Sequence, residues 1–206
     1  MKHPSVRELY RYWNAQRGLR AAPERSDIEP GAIRRALADT FILSQHAAHG
    51  HSFRIAGTRL CAAGASYGGH LANWMEATTT RYKCIVSHAG EVDLTTQWGE
   101  SDYIYEREVT NGGPPWAGNP IWREQSPLTY AANWKTPMLL SIGERDFRVP
   151  LGNTLENWAT LQRMHVPSRL LVWPDAWHWI LKPEDSRHFY EEVQRWLGTY
   201  LKGDTP

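Results

Sequence analysis

Leu60-Cys61-Ala62-Ala63-Gly64-Ala65-Ser66-Tyr67-Gly68-Gly69 decides how this chain is read. Residues 60–63 are a short apolar run of strand character. Beyond them Leu71, Trp74 and Met75 fall at helical spacing. A strand passing straight into a helix through G-x-S-x-G is the setting of a nucleophile elbow. The turn is so tight that only small residues fit around it, which accounts for Gly64 and Gly68 and extends to Gly69. Such a turn lifts the Ser66 hydroxyl clear of the backbone at a helix N-terminus. There, free amides and the helix dipole favour developing negative charge, and the Tyr67 backbone N–H is the first oxyanion donor.

A serine nucleophile needs a base, and the base needs an orienting acid. Working outward from the elbow, strands are expected at 84–87, 138–142 and 169–173. Asp146 follows the third strand of the set and His178 the fourth, so both fall at carboxyl ends, where sites in parallel sheets form. The order Ser66, Asp146, His178 is that of α/β hydrolases. Asp175 competes for the acid role, but a carboxylate three residues before His178 is better suited to capping its own turn, so Asp146 is preferred. Between the last two strands Leu155, Trp158, Leu161 and Met164 share one helical face. The chain closes with a helix opened by Pro183, with Phe189, Val193, Trp196, Leu197 and Tyr200 as its buried stripe. Strands alternating with amphipathic helices predict a mostly parallel sheet covered on both faces, an α/β fold.

From about residue 59 to 201 the sequence resembles the carboxyl-terminal part of the catalytic domain of the prolyl oligopeptidase family, in its dipeptidyl and acylaminoacyl peptidase branches. The resemblance is carried by Gly64 to Gly69, by Ser126-Pro127-Leu128 and by Gly143-Glu144-Arg145-Asp146-Phe147-Arg148-Val149-Pro150. Trp177-His178-Trp179 is the last matching block. It implies Ser66 as nucleophile, His178 as general base and Asp146 as its orienter, acting on short peptides through an acyl-enzyme. It also implies that Trp98, Tyr103 and Tyr105 lie where that family builds its specificity pocket, although core packing suits them equally. No cofactor and no metal follow from it. The family's strands ahead of the elbow, its gating β-propeller and its tyrosine hydroxyl oxyanion donor have no matching blocks here.

Residues 1–57 read differently. Ser5-Val6-Arg7-Glu8 is a capping box for a helix with Val6, Leu9, Tyr10 and Trp13 on one face. Phe41-Ile42-Leu43 and Phe53-Arg54-Ile55 look like two strands of a hairpin. Leu9-Tyr10-Arg11-Tyr12-Trp13, Ser26-Asp27-Ile28, Phe41-Ile42-Leu43 and Phe53-Arg54-Ile55-Ala56-Gly57-Thr58-Arg59-Leu60 resemble the start of a bacterial PAS-type domain, which divides the chain into a PAS-like fragment, 1–57, and a partial α/β-hydrolase domain, 58–206. The strand at 60–63 would then be a sheet edge. The preceding hairpin, a second copy in a homodimer, or local disorder would answer it, the hairpin first. His46, His49 and His51 lie in the hairpin turn without Cys or carboxylate partners and are read as a solvated loop.

Composition limits the remaining classes. The 206 residues carry 23 Lys plus Arg against 22 Asp plus Glu, a balance that argues against a nucleic-acid binder relying on a basic face. Hydrophobic residues make up 41%, enough for a core. No apolar run is long enough to span a bilayer, and residues 1–18 are too charged for a signal peptide, so a soluble cytoplasmic protein is expected. Cys61 and Cys84 sit in apolar strand-like runs and are expected as buried free thiols. The leading expectation is a serine hydrolase cleaving short peptides or esters. A non-catalytic fusion of two incomplete domains and a PAS-like sensory or interaction module are the alternatives.

Overall fold

The computed structural model describes residues 59–202. The capping-box helix, the hairpin with its three histidines and the PAS-like reading lie outside the described residues. Among the described residues four strands form one parallel sheet in the order β1 (Cys61–Ala65), β2 (Cys84–His88), β3 (Met138–Gly143) and β4 (Ser168–Trp173). Each strand runs one or two residues beyond its expected end, or begins one residue earlier, because ladder bonds continue until the chain turns.

Parallel neighbours require crossovers, and helices supply them. Helix α1 (Tyr67–Thr78) links β1 to β2. The long passage from β2 to β3 holds α2 (Leu94–Glu100), α3 (Ile104–Asn111), α4 (Ile121–Glu124) and two 3-10 segments. Helix α5 (Leu151–Arg163) links β3 to β4, and α6 (Pro183–Lys202) ends the described chain. Strands β2 and β3 are buried along their whole length, as strands paired on both sides in a covered sheet must be. Ile85, Met138 and Leu140 pack with Leu60, Ala72, Trp134, Leu161 and Val166 to form the main core.

Three expectations need correction. Cys61 and Cys84 are not free thiols. They are register partners on β1 and β2, their Cα atoms lie 4.7 Å apart, and a disulfide joins them. On α5 only Leu161 of the expected apolar stripe is buried. Leu155, Trp158 and Met164 face outward, while Asn153, Thr154 and Asn157 are buried instead. The polar face turns inward because it has specific work there. Asn153 Oδ1 accepts the amides of Val92 and Asp93, and Asn157 donates to Asn73 Oδ1 on α1. On α6 the expected stripe is only half-buried, and the buried side chain is Glu192, which pairs with Arg169 and Arg195.

Candidate active site

The carboxyl ends of the four strands lie together in register, with Ala65 beside His88, His88 beside Ser141, and Gly143 beside Trp173. Ser66 follows β1 at φ 57° and ψ −123°, a left-handed conformation that costs a non-glycine residue energy and clusters at functional turns. Its amide donates to the His88 carbonyl at 2.9 Å, and its own carbonyl accepts from His70 in the first turn of α1.

The glycines divide by contact. A Cβ on Gly64 would stand 1.9 Å from the Gly68 carbonyl oxygen, and one on Gly69 would stand 2.7 Å from both Gly90 Cα and the His88 carbonyl oxygen. A Cβ on Gly68 would meet nothing within 4 Å, so close packing explains Gly64 and Gly69 but not Gly68.

His178 lies in the loop between β4 and α6. Its Nε2 is 2.8 Å from Ser66 Oγ and its Nδ1 is 2.8 Å from Asp146 Oδ2. The Asp146 side chain is fully buried, that of His178 19% exposed. The other carboxylate oxygen of Asp146 accepts the amides of Arg148 and Val149, both at 2.9 Å. Asp175 turns elsewhere, to Arg145 at 2.6 Å and Lys182 at 3.9 Å. A hydroxyl, an imidazole and a buried carboxylate in one hydrogen-bonded line can withdraw and return a proton. Tyr67 begins α1 directly after Ser66, so its amide is one of the four at a helix start that no helical carbonyl can reach.

The three aromatic residues of the expected specificity pocket each have their own neighbours. Tyr103 immediately precedes α3, and the Arg148 guanidinium lies 4.7 Å from its ring centre. Arg148 in turn pairs with Asp102 and gives its amide to Asp146. Trp98 stacks edge-on against Trp116 and donates to Glu108, and Tyr105 is 74% exposed. Sequence reasoning missed the polar groups behind the site. Glu91 and Arg107 form a largely buried ion pair, with Arg107 also donating to Gln97. Burial pushes the Glu91 carboxyl up, and Arg107 opposes that shift. His88 was missed as well, although it too ends a strand at the carboxyl side of the sheet.

A parallel sheet with an elbow serine, a histidine and a carboxylate at its carboxyl edge defines the α/β-hydrolase class. Residues 35–204 match the profile of the Prolyl oligopeptidase family, and the chain belongs to that family. The match begins inside the segment that resembled a PAS-type domain.

Among curated relatives, the chain is 32% identical over 151 residues to dipeptidyl-peptidase 5 of Porphyromonas gingivalis, covering 71% of this chain and 22% of that protein. To dipeptidyl-peptidase 5 of Schizosaccharomyces pombe it is 30% identical over 146 residues, 70% of this chain and 21% of that one. The chain thus spans about a fifth of the length of these relatives. Among solved structures, Pyrococcus horikoshii acylaminoacyl peptidase superposes with a TM-score of 0.66 at 25% identity, over 72% of this chain and 25% of that one. A Mycobacterium tuberculosis puromycin-hydrolyzing peptidase shares the fold with a TM-score of 0.67 at 23% identity, over 82% of this chain and 24% of that one.

Proposed function

We propose that the chain carries a serine-hydrolase centre of the prolyl oligopeptidase type, which cleaves short peptides or esters through an acyl-enzyme on Ser66. The observation that supports it most directly is the pair of 2.8 Å hydrogen bonds through His178, from Ser66 on one side to Asp146 on the other. In this reading Ser66 Oγ attacks the substrate carbonyl carbon while its proton passes to His178 Nε2. The carbonyl oxygen becomes an oxyanion, to which the Tyr67 amide donates at the positive end of α1. Collapse of the intermediate expels the amine or alcohol, which leaves with the proton held by His178. Water then repeats the sequence, giving its proton to His178, and the acid is released from Ser66. Asp146 holds Nδ1–H and stabilises the imidazolium formed in both halves.

The family relationship supports peptide bonds as the natural target. Of the three aromatics, Tyr103 is the best candidate to meet a substrate side chain, since Arg148 links it to Asp146. Small activated esters need less oxyanion stabilisation than amides and are the better first substrates. Hydrolysis of p-nitrophenyl acetate and of a dipeptidyl chromogenic amide by the wild-type chain and Ser66→Ala tests the proposal. The expected result is turnover that falls to background in the variant. Equal rates from two folded preparations would overturn it.

A further inference from the structure

His88 ends β2 and is buried, yet it belongs to neither end of the Ser66–His178–Asp146 line. It nonetheless holds the main chain of two of those residues. Its carbonyl oxygen accepts the Ser66 amide at 2.9 Å. Its ring Nε2 lies 3.2 Å from the carbonyl oxygen of His178. Its ring Nδ1 lies 3.1 Å from Ser141 Oγ on β3, and that same oxygen accepts the indole N–H of Trp173 on β4 at 2.8 Å.

Elementary hydrogen-bond chemistry gives this chain a direction. A carbonyl oxygen only accepts, so His88 Nε2 carries the hydrogen. The neutral ring then accepts at Nδ1, the Ser141 hydroxyl donates to it, and Ser141 receives the Trp173 N–H. Each donor has one acceptor. A doubly protonated ring would aim Nδ1–H and the Trp173 N–H at one oxygen and displace the Ser141 hydrogen. Burial, the largest influence, holds the ring below its ordinary pKa. Phe189 and Trp179, with ring centres 5.6 and 6.4 Å from the imidazole, flank it.

We infer that His88 is the positioning residue that sets the separation of Ser66 and His178, gripping the first through its carbonyl and the second through its ring. The inference rests on the reading of Ser66 as nucleophile and His178 as base. Strand pairing fixes Ser66 through β1, but His178 sits in a loop, and its peptide carbonyl reaches the sheet through this imidazole. A shift of that loop changes the 2.8 Å Ser66–His178 contact on which proton transfer depends. Misplacement of a reacting group by about 1 Å typically costs about 10²-fold in rate.

The test uses the full 206-residue chain. His88→Phe keeps the ring and its aromatic neighbours but removes both ring nitrogens, whereas His88→Gln restores an amide donor and an acceptor. The readouts are kcat and KM for p-nitrophenyl acetate and the rate of Ser66 labelling by a fluorophosphonate. His88→Phe is expected to lower kcat and labelling by about 10²-fold with KM nearly unchanged, and His88→Gln to recover most of the loss. A folded His88→Phe protein labelled at the wild-type rate overturns the inference, as does a His88→Gln protein no better than His88→Phe. If His88→Phe does not fold, ¹⁵N resonances of the histidines in the wild-type chain decide. The inference requires an Nε2–H tautomer at His88, and an Nδ1–H tautomer overturns it. Failure of the underlying assignment is separately visible, as wild-type labelling that is absent or that survives Ser66→Ala and His178→Ala.

Discussion

Each oxygen of Asp146 has its own partner in relation to His178: Oδ2 takes the imidazole Nδ1–H at 2.8 Å, while Oδ1 takes the amides of Arg148 and Val149. Asp146→Asn divides these duties unequally. Two backbone donors claim the amide oxygen, so the side-chain NH₂ turns toward His178. His178 must then accept at Nδ1 and carry its hydrogen on Nε2, facing Ser66, where no proton can be received. The expected loss in kcat is about 10⁴-fold with the fold intact, the usual size of a wrong-tautomer effect. Steady-state ester kinetics beside a circular-dichroism spectrum measure it, and a loss below tenfold would contradict this division of partners.

The Cys61–Cys84 bond should matter to stability more than to chemistry. It closes 23 residues of chain and holds β1, the end strand of the described sheet, to the buried strand β2. A loop of that length corresponds to about 3 kcal/mol of stabilisation in the chain-entropy account. Thermal unfolding of the wild-type chain, with and without reductant, should show a clear fall in Tm. The double variant Cys61→Ala, Cys84→Ala should match the reduced protein and be insensitive to reductant. Identical melting curves for the wild type in both conditions would remove the bond from the account.

The sequence was legible where one physical rule acts alone. The apolar runs that became β2 and β3 are buried on both faces, and the elbow is recognised by its strand–turn–helix setting, so four strands and the line of Ser66, Asp146 and His178 followed. It was misread where tertiary partners outweigh hydrophobicity. Nothing local tells α5 to bury Asn153 and Asn157 and expose Trp158, because their partners lie on the loop after β2 and on α1. The pairing of Cys61 with Cys84 likewise depends on strand register, which a single strand does not encode. Only His88 had a signal that went unused: a titratable residue at the carboxyl end of a strand in a parallel sheet.

That inverted helix face makes a contrast that can be measured. Asn153→Ala would leave the amides of Val92 and Asp93 without the oxygen they now share, in the loop that leads from β2 to α2. Unpaired buried polar groups cost about 1–3 kcal/mol each, so a loss of about 2–4 kcal/mol in denaturant unfolding is expected. Leu155→Ala and Trp158→Ala, which remove large apolar side chains from a more exposed face, should each cost less than Asn153→Ala. The opposite ranking would mean that α5 is held by its apolar stripe after all.

A second buried histidine makes stability depend on pH. His70 Nδ1 lies 3.1 Å from the Glu91 carbonyl oxygen, so it donates, and Nε2 accepts the indole N–H of Trp74 at 3.0 Å. Both nitrogens are therefore committed to a neutral ring. Burial lowers its pKa from the ordinary 6.5 to about 4; the Glu91 carbonyl works against that shift, and Arg107 adds to it. Because the folded state holds this proton less tightly than the unfolded one, the sign is fixed. The contribution is complete above pH 6.5 and is lost progressively as pH falls toward about 4. Below that, protonation no longer distinguishes the two states. The full difference amounts to about 3 kcal/mol. Denaturant unfolding at pH 7 and pH 5 should show a loss of about 2 kcal/mol from this ring, smaller in His70→Asn, which has no proton to gain. The His70 ring resonance should meanwhile stay that of the neutral form down to pH 5. A ring that titrates near pH 6.5 in the folded chain, with unfolding curves that coincide at the two pH values, would show that the imidazole is solvated and not locked between Glu91 and Trp74.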